Sequence, residues 1–156
     1  MNNFLIAFIK DDDGYDKNQL QYLLTISLEV LEILICKCYS NEILHKDRWF
    51  EINNGKIAII YSLLIEDIIN LEIFKKCVKN INLELSEKNI EYIKQKINLQ
   101  YLKKEDVFED LMLTIVRYEF QKNEYEKLIS YSRNVKINEL YNFIYNLINI
   151  NNLVIQ

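Results

Sequence analysis

Two clusters of side chains in this chain have the residue types that metal or proton chemistry uses. The first is Asp11-Asp12-Asp13-Gly14-Tyr15-Asp16, an acidic run that follows the apolar stretch Phe4–Ile9. Hard cations bind carboxylate oxygens, and adjacent aspartates at the end of a short apolar strand can hold one. The EF-hand spacing fails: with Gly14 as the turn glycine, the first and last ligand positions fall on Ile9 and Leu20. A phosphoacceptor arrangement would need strands and helices alternating downstream, a pattern the sequence does not offer. The run reads more simply as a solvated turn whose charge favours the N-terminus of a following helix, or as an acidic loop for a partner.

The second cluster is Cys36, Cys38 and Cys77 with His45, the count of a Cys₃His zinc site. Its spacing argues for buried thiols instead, because two cysteines two apart on a helix point about 200° away from each other. His45 with Asp47 and Arg48 could be written as an acid/base set, but this is the one histidine of the chain. No local sequence marks a nucleophile for it. Carboxylate-only catalysis could use Glu66-Asp67 or Glu105-Asp106-Glu109-Asp110. The second of these groups sits where a helix begins, and negative charge is favourable there in any case. No catalytic residue, metal or cofactor is therefore expected.

The elements that carry these groups read mostly as helices. Residues 4–9 favour a short strand, and Asp13-Gly14 a turn. Asp16 is a fitting N-cap for a helix from Lys17 to about Tyr39. Its polar positions Asn18, Gln21, Thr25, Glu29 and Glu32 form one narrow stripe, so the helix is central to its domain or also covers a partner. Periodicity lapses over residues 40–56, where two readings meet. Trp49–Ile52 and Lys56–Ile60 could be strands joined by Asn53-Asn54-Gly55. Alternatively Asn54 caps a helix from about Lys56 to Asn80, on which Ile57, Ile60, Tyr61, Leu64, Ile68 and Leu71 keep helical spacing. The length of that spacing favours the helix.

Further on, Ser86 reads as the N-cap of a charged helix with the stripe Ile90, Ile93, Ile97 and Tyr101. A helix near Glu105–Gln121, a break at Lys122-Asn123, a continuation over Glu124–Ser132 and a last helix near Lys136–Asn149 follow. The expected fold class is all-α: a single compact bundle of about six helices. It fills one domain over residues 1–156, with room for a short N-terminal strand or a small hairpin near 49–60.

Composition narrows function by exclusion. The chain is 50% hydrophobic and 27% charged, with net charge −4, no Pro and two Gly. Its wealth of Ile, Asn, Lys and Tyr follows A/T-rich codons, so the scarcity of Pro and Arg is not design. No third of the chain is basic, which disfavours nucleic acid as a partner. Tyr101, Tyr118, Tyr125, Tyr131, Tyr141 and Tyr145 crowd the C-terminal half and suit packing or protein contact. No stretch reads as a membrane span or export signal, and three cysteines without such a signal point to free thiols in the cytoplasm.

The function expected is that of a non-enzymatic protein-binding module. In its narrower form it is a small acidic inhibitor or neutralising protein (immunity protein, antitoxin or phage-encoded inhibitor) of a bacterium or phage. Its target would be a basic nucleic-acid-processing protein, such as a toxin or nuclease. The contact residues expected are Asp11, Asp12, Asp13, Trp49, Glu105, Asp106, Glu109 and Asp110. A self-associating scaffold subunit is the alternative, resting on the apolar helix 17–39. A carboxylate or divalent-metal enzyme stands behind both.

Overall fold

A computed structural model describes residues 2–39, 43–65, 70–112 and 118–156, with the side chains of 43–45, 65, 83–84, 102–122 and 124–125 outside the described set. Four strands, β1 (Asn2–Asp11), β2 (Ile43–Asn53), β3 (Lys56–Ile65) and β4 (Leu153–Ile155), form one sheet in the order β2-β3-β1-β4. All its neighbours are antiparallel. The chain is thus a mixed helix-and-sheet fold, and the all-α bundle expected from periodicity is wrong.

The error lies at residues 56–80. Lys56–Ile65 is a strand, joined to β2 through Asn54 and Gly55, whose φ angles of 50° and 76° are the pair of positive values a tight hairpin turn demands. The helix expected from Lys56 begins only at Leu71. Strand β3 is apolar on both faces, so almost any period can be fitted to Lys56-Ile-Ala-Ile-Ile-Tyr-Ser-Leu-Leu-Ile65. The hairpin register runs from Asn53 opposite Lys56 to His45 opposite Leu64, with an irregularity between Ile43 and His45.

Helix α1 (Lys17–Tyr39) starts from a reciprocal cap: the Gln19 amide donates to Asp16 Oδ1 at 2.9 Å, and the Asp16 amide donates to Gln19 Oε1 at 3.1 Å. It then crosses the sheet with Leu20, Leu23, Leu24, Ile26, Val30, Leu31, Leu34 and Ile35 almost wholly buried. Helix α2 (Leu71–Lys79) is capped by Asn70, whose side chain accepts from the Glu72 amide, and it buries Phe74 and Val78. A short turn of helix, α3 (Ile81–Glu84), leads to α4 (Glu87–Met112).

Ser86 caps α4, its Oγ accepting from the Asn89 amide at 3.3 Å, and Ile90, Ile93, Ile97 and Tyr101 form the buried stripe. That helix runs on through Glu105 to Met112, because Leu102-Lys103-Lys104 holds no Gly, Pro or cap that would end it. Helix α5 (Tyr118–Asn134) likewise passes through Lys122-Asn123 without the expected break. Helix α6 (Ile137–Leu147) buries Leu140, Phe143, Ile144 and Leu147. A 3-10 turn at Ile150–Asn152 then delivers β4 to β1, where Leu5 and Gln156 exchange backbone hydrogen bonds of 2.8 and 3.0 Å. Among the described residues no helix is long and apolar enough to cross a membrane.

Candidate functional site

Side chains alternate between the two faces of a strand. On one face Ile6, Phe8, Ile57, Ile59, Tyr61 and Leu63 are at most 1% exposed and belong to the core. The residues between them point outward. Trp49, Ile60, Ala7 and Val154 line up across all four strands as one row. Glu51, Ala58 and Ile9 form the row on one side, and Asp47, Ser62 and Leu5 the row on the other. Ile9, Trp49 and Val154 are 41, 36 and 41% exposed. Leu5, Ala7, Ala58 and Ile60 are half-buried, and among the described residues no apolar member of these rows belongs to the core cluster or packs against it.

The border of this apolar band along β2 is acidic. Trp49 Nε1 donates to Glu51 Oε1 at 3.3 Å, which holds the indole along its strand. Asp47 Oδ1 accepts from the Arg48 amide at 2.8 Å. Two rows beyond Trp49, Asp11 pairs with Lys56 at 3.1 Å across β1 and β3. The structure therefore brings Trp49 and Asp11, both expected as contact residues, to the same face.

The other aspartates of the acidic run serve the turn itself. Asp12 Oδ1 accepts from the Gly14 amide at 3.0 Å, and Asp13, at φ 56°, pairs with Lys10. These carboxylates fan out to separate partners rather than converging on a point. Glu105, Asp106, Glu109 and Asp110 fall on α4, with side chains outside the described residues. Glu66-Asp67 lies outside the described residues altogether.

A second polar assembly sits where α1 meets the covered side of β2. Arg48 bridges Glu29 and Glu32 of α1, each at 2.5 Å, and its guanidinium also donates to the Leu28 carbonyl at 3.4 Å. Lys96 of α4 reaches the second oxygen of Glu29 at 3.1 Å, and Lys46 pairs with Glu32. Burial alone would raise the Glu29 carboxyl, but hydrogen bonds from Arg48 and Lys96 outweigh it and hold the group below the ordinary carboxylate value. Tyr61 lies beside this network. Its hydroxyl has no hydrogen-bond partner among the described groups, and burial with the nearby Glu32 charge pushes it up to about 12.

Every carboxylate here is engaged by a cation, so the network joins α1, β2 and α4 rather than offering a free base. Among the described residues, no group of three or more His, Cys, Asp or Glu side chains comes together as a metal site. His45 stands opposite Leu64 in β2, its side chain outside the described set. Of the tyrosines, Tyr101 is buried, Tyr131 meets Tyr22 edge-on at 5.9 Å, and Tyr141 stacks on Tyr145 at 6.1 Å.

Sequence reasoning missed Ile9, Ile60 and Val154 as members of the outward band. The period-two arrangement over 56–65 could have found Ile60, had the Asn-Gly turn been weighted above the helical fit.

No protein-family model matches the sequence, and no curated protein matches it. Solved structures do share its fold. An inactive peptidase domain from Bordetella parapertussis, assigned to a zinc protease, matches with TM-score 0.64 and 8% identity, over 99% of this chain and 91% of that one. A protein from Bordetella pertussis Tohama I, also assigned as a zinc protease, matches with TM-score 0.59 and 10% identity over 99% and 92%. A mutant of the ferredoxin protease FusC, in complex with Arabidopsis ferredoxin, matches with TM-score 0.68 and 10% identity, over 98% of this chain and 18% of that one. At these identities the likeness is one of fold, and it overturns the helical bundle without carrying a reaction to this chain.

Proposed function

We propose that this chain is a non-enzymatic protein-binding domain whose contact surface is the outward face of its sheet, centred on Trp49. The observation that carries this reading is the continuous apolar row Trp49–Ile60–Ala7–Val154, exposed at both ends. Exposed apolar bands of this kind mark interaction surfaces, and an aromatic anchor inside a charged border is the usual anatomy of a contact. Asp47 and Glu51 on that border, with a chain charge of −4, suit a partner whose own apolar patch is flanked by Lys or Arg. A basic nucleic-acid-processing partner in the cytoplasm is the narrower form of the same proposal.

One enzymatic alternative, a paired-histidine zinc peptidase, finds no ligand pair in this sequence. The paired-histidine zinc motifs H-E-x-x-H and H-x-x-E-H each need two histidines, and the whole sequence holds His45 alone.

The test is quantitative capture from a native lysate with the parent chain and an Ile60→Asp variant as bait, both checked for folding by thermal melt. The expected result is a partner retained by the parent and lost by the variant at similar Tm. Equal capture by both would overturn the assignment of the surface. Light scattering over a dilution series covers the self-associating alternative: a dimer dissolved by Ile60→Asp would make a second copy the occupant.

A further inference from the structure

We infer that Cys38 and Cys77 are a redox-active dithiol that closes to an intramolecular disulfide and pins α2 against the end of α1. The two sulfurs belong to different helices, 39 residues apart in sequence, yet Cys38 Sγ donates a hydrogen bond to Cys77 Sγ at 3.3 Å. Both cysteines are reduced and both are half-buried, so they are held in place and still accessible. The helices that carry them are already fixed to each other. The Tyr39 hydroxyl donates to the Asn70 carbonyl at 2.8 Å, at the residue that caps α2, while Phe74 and Val78 of α2 are buried in the core. The sulfurs thus stand only about 1 Å beyond a bonding distance of about 2.05 Å.

Cys36 is no competitor. It lies about 200° round α1 from Cys38, on the side where the Lys46 ammonium approaches its sulfur at 3.9 Å. The reaction needs an oxidant, and a small-molecule disulfide such as glutathione disulfide supplies it. Cys77 gives up its proton to solvent and attacks one sulfur of the oxidant, expelling a glutathione thiolate that takes up a proton from solvent. Cys38 then loses its proton to solvent and displaces the glutathione carried by Cys77. Two protein thiols are oxidised, and one glutathione disulfide is reduced to two thiols. Burial, together with the contact to Cys77, pushes the Cys38 thiol up to about 12, so this second displacement quickens as pH rises. In a reducing compartment the closed form is transient, as redox-sensing pairs are.

Incubation of the intact chain with glutathione disulfide, followed by unreduced peptide mapping and thermal melts, tests this. The expected product carries a Cys38–Cys77 cross-linked peptide and is about 2 Da lighter than the dithiol form. It melts about 5–10 °C higher, and dithiothreitol reverses both changes. Cys36→Ser should behave as the parent does. Cys77→Ser should form no cross-link and show no rise in Tm. Stable glutathione adducts on Cys38 or Cys77 of the parent chain, a bond through Cys36, or a cross-link that leaves Tm unchanged would each overturn the inference. For the parent protein the mass and the mapped peptide decide the matter, whether or not a variant folds.

Discussion

The same three residues of sequence can belong to two different environments, as Ile59, Ile60 and Tyr61 show. Ile59 and Tyr61 are fully buried under the helices, while Ile60 between them stands in the outward row with Trp49. Both faces of β1 and β3 are apolar, the pattern of a sheet covered on both sides. Yet among the described residues the packed core uses one face, and the other ends in exposed Ile9, Trp49 and Val154. Hydrophobicity along a strand therefore does not say which face is packed. Position in the register does, and the contrast separates residues that hold the fold from residues free to meet a partner.

Neighbouring pairs of residues give direct ways to break this contrast. The largest difference is expected at Ile59 and Ile60: truncating Ile59 to Ala should lower stability by about 3 kcal/mol, against about 1 kcal/mol for Ile60→Ala. Urea denaturation measures both, and equal losses would mean that the outward face is packed as well. Next comes the pair on β2. Arg48→Ala removes two ion pairs from Glu29 and Glu32 and should cost about 2 kcal/mol, whereas Trp49→Ala should cost under about 1 kcal/mol and weaken partner capture instead.

The pH dependence sharpens the same point on the covered side. Glu29 is held below its ordinary value of 4.5, so its contribution to stability is complete above that pH and fades as pH falls through the lower folded-state value. Thermal melts from neutral to acid pH should show a steeper acid loss for the parent chain than for Glu29→Gln. The smallest effect is expected at Tyr61. Replacing it with Phe removes a buried hydroxyl that lacks a partner among the described groups, so stability should stay level or rise by up to about 1 kcal/mol.

What could be read from the sequence depended on whether a local signal had a rival. Helix α1 was legible because Asp16 caps it and its polar residues fall on one stripe. Ser86 and the stripe from Ile90 to Tyr101 were legible for the same reasons. Strand β3 was not, since its two apolar faces satisfy a helical period as easily as an extended one, and only the paired positive φ angles at Asn54 and Gly55 decide the matter. Strand β4 has only three residues and exists through its pairing with β1, so nothing local announces it. For the candidate surface, residue type singled out Trp49 and Asp11, but only the register brings Ile9, Ile60 and Val154 beside them.

The pairing of β4 with β1 also bears on the order in which the molecule assembles. Leu5 and Gln156 bond to each other from nearly opposite ends of this sequence, whereas the β2-β3 hairpin closes across two residues. Loop closure grows costlier with the length of chain to be closed, and contacts of long sequence separation form slowly. The hairpin is thus suited to form early and the β1-β4 ladder late. Until that last ladder forms, the backbone groups of Leu5 to Phe8 that β4 covers remain an open edge, and a chain caught at that stage can pair there with another copy of itself.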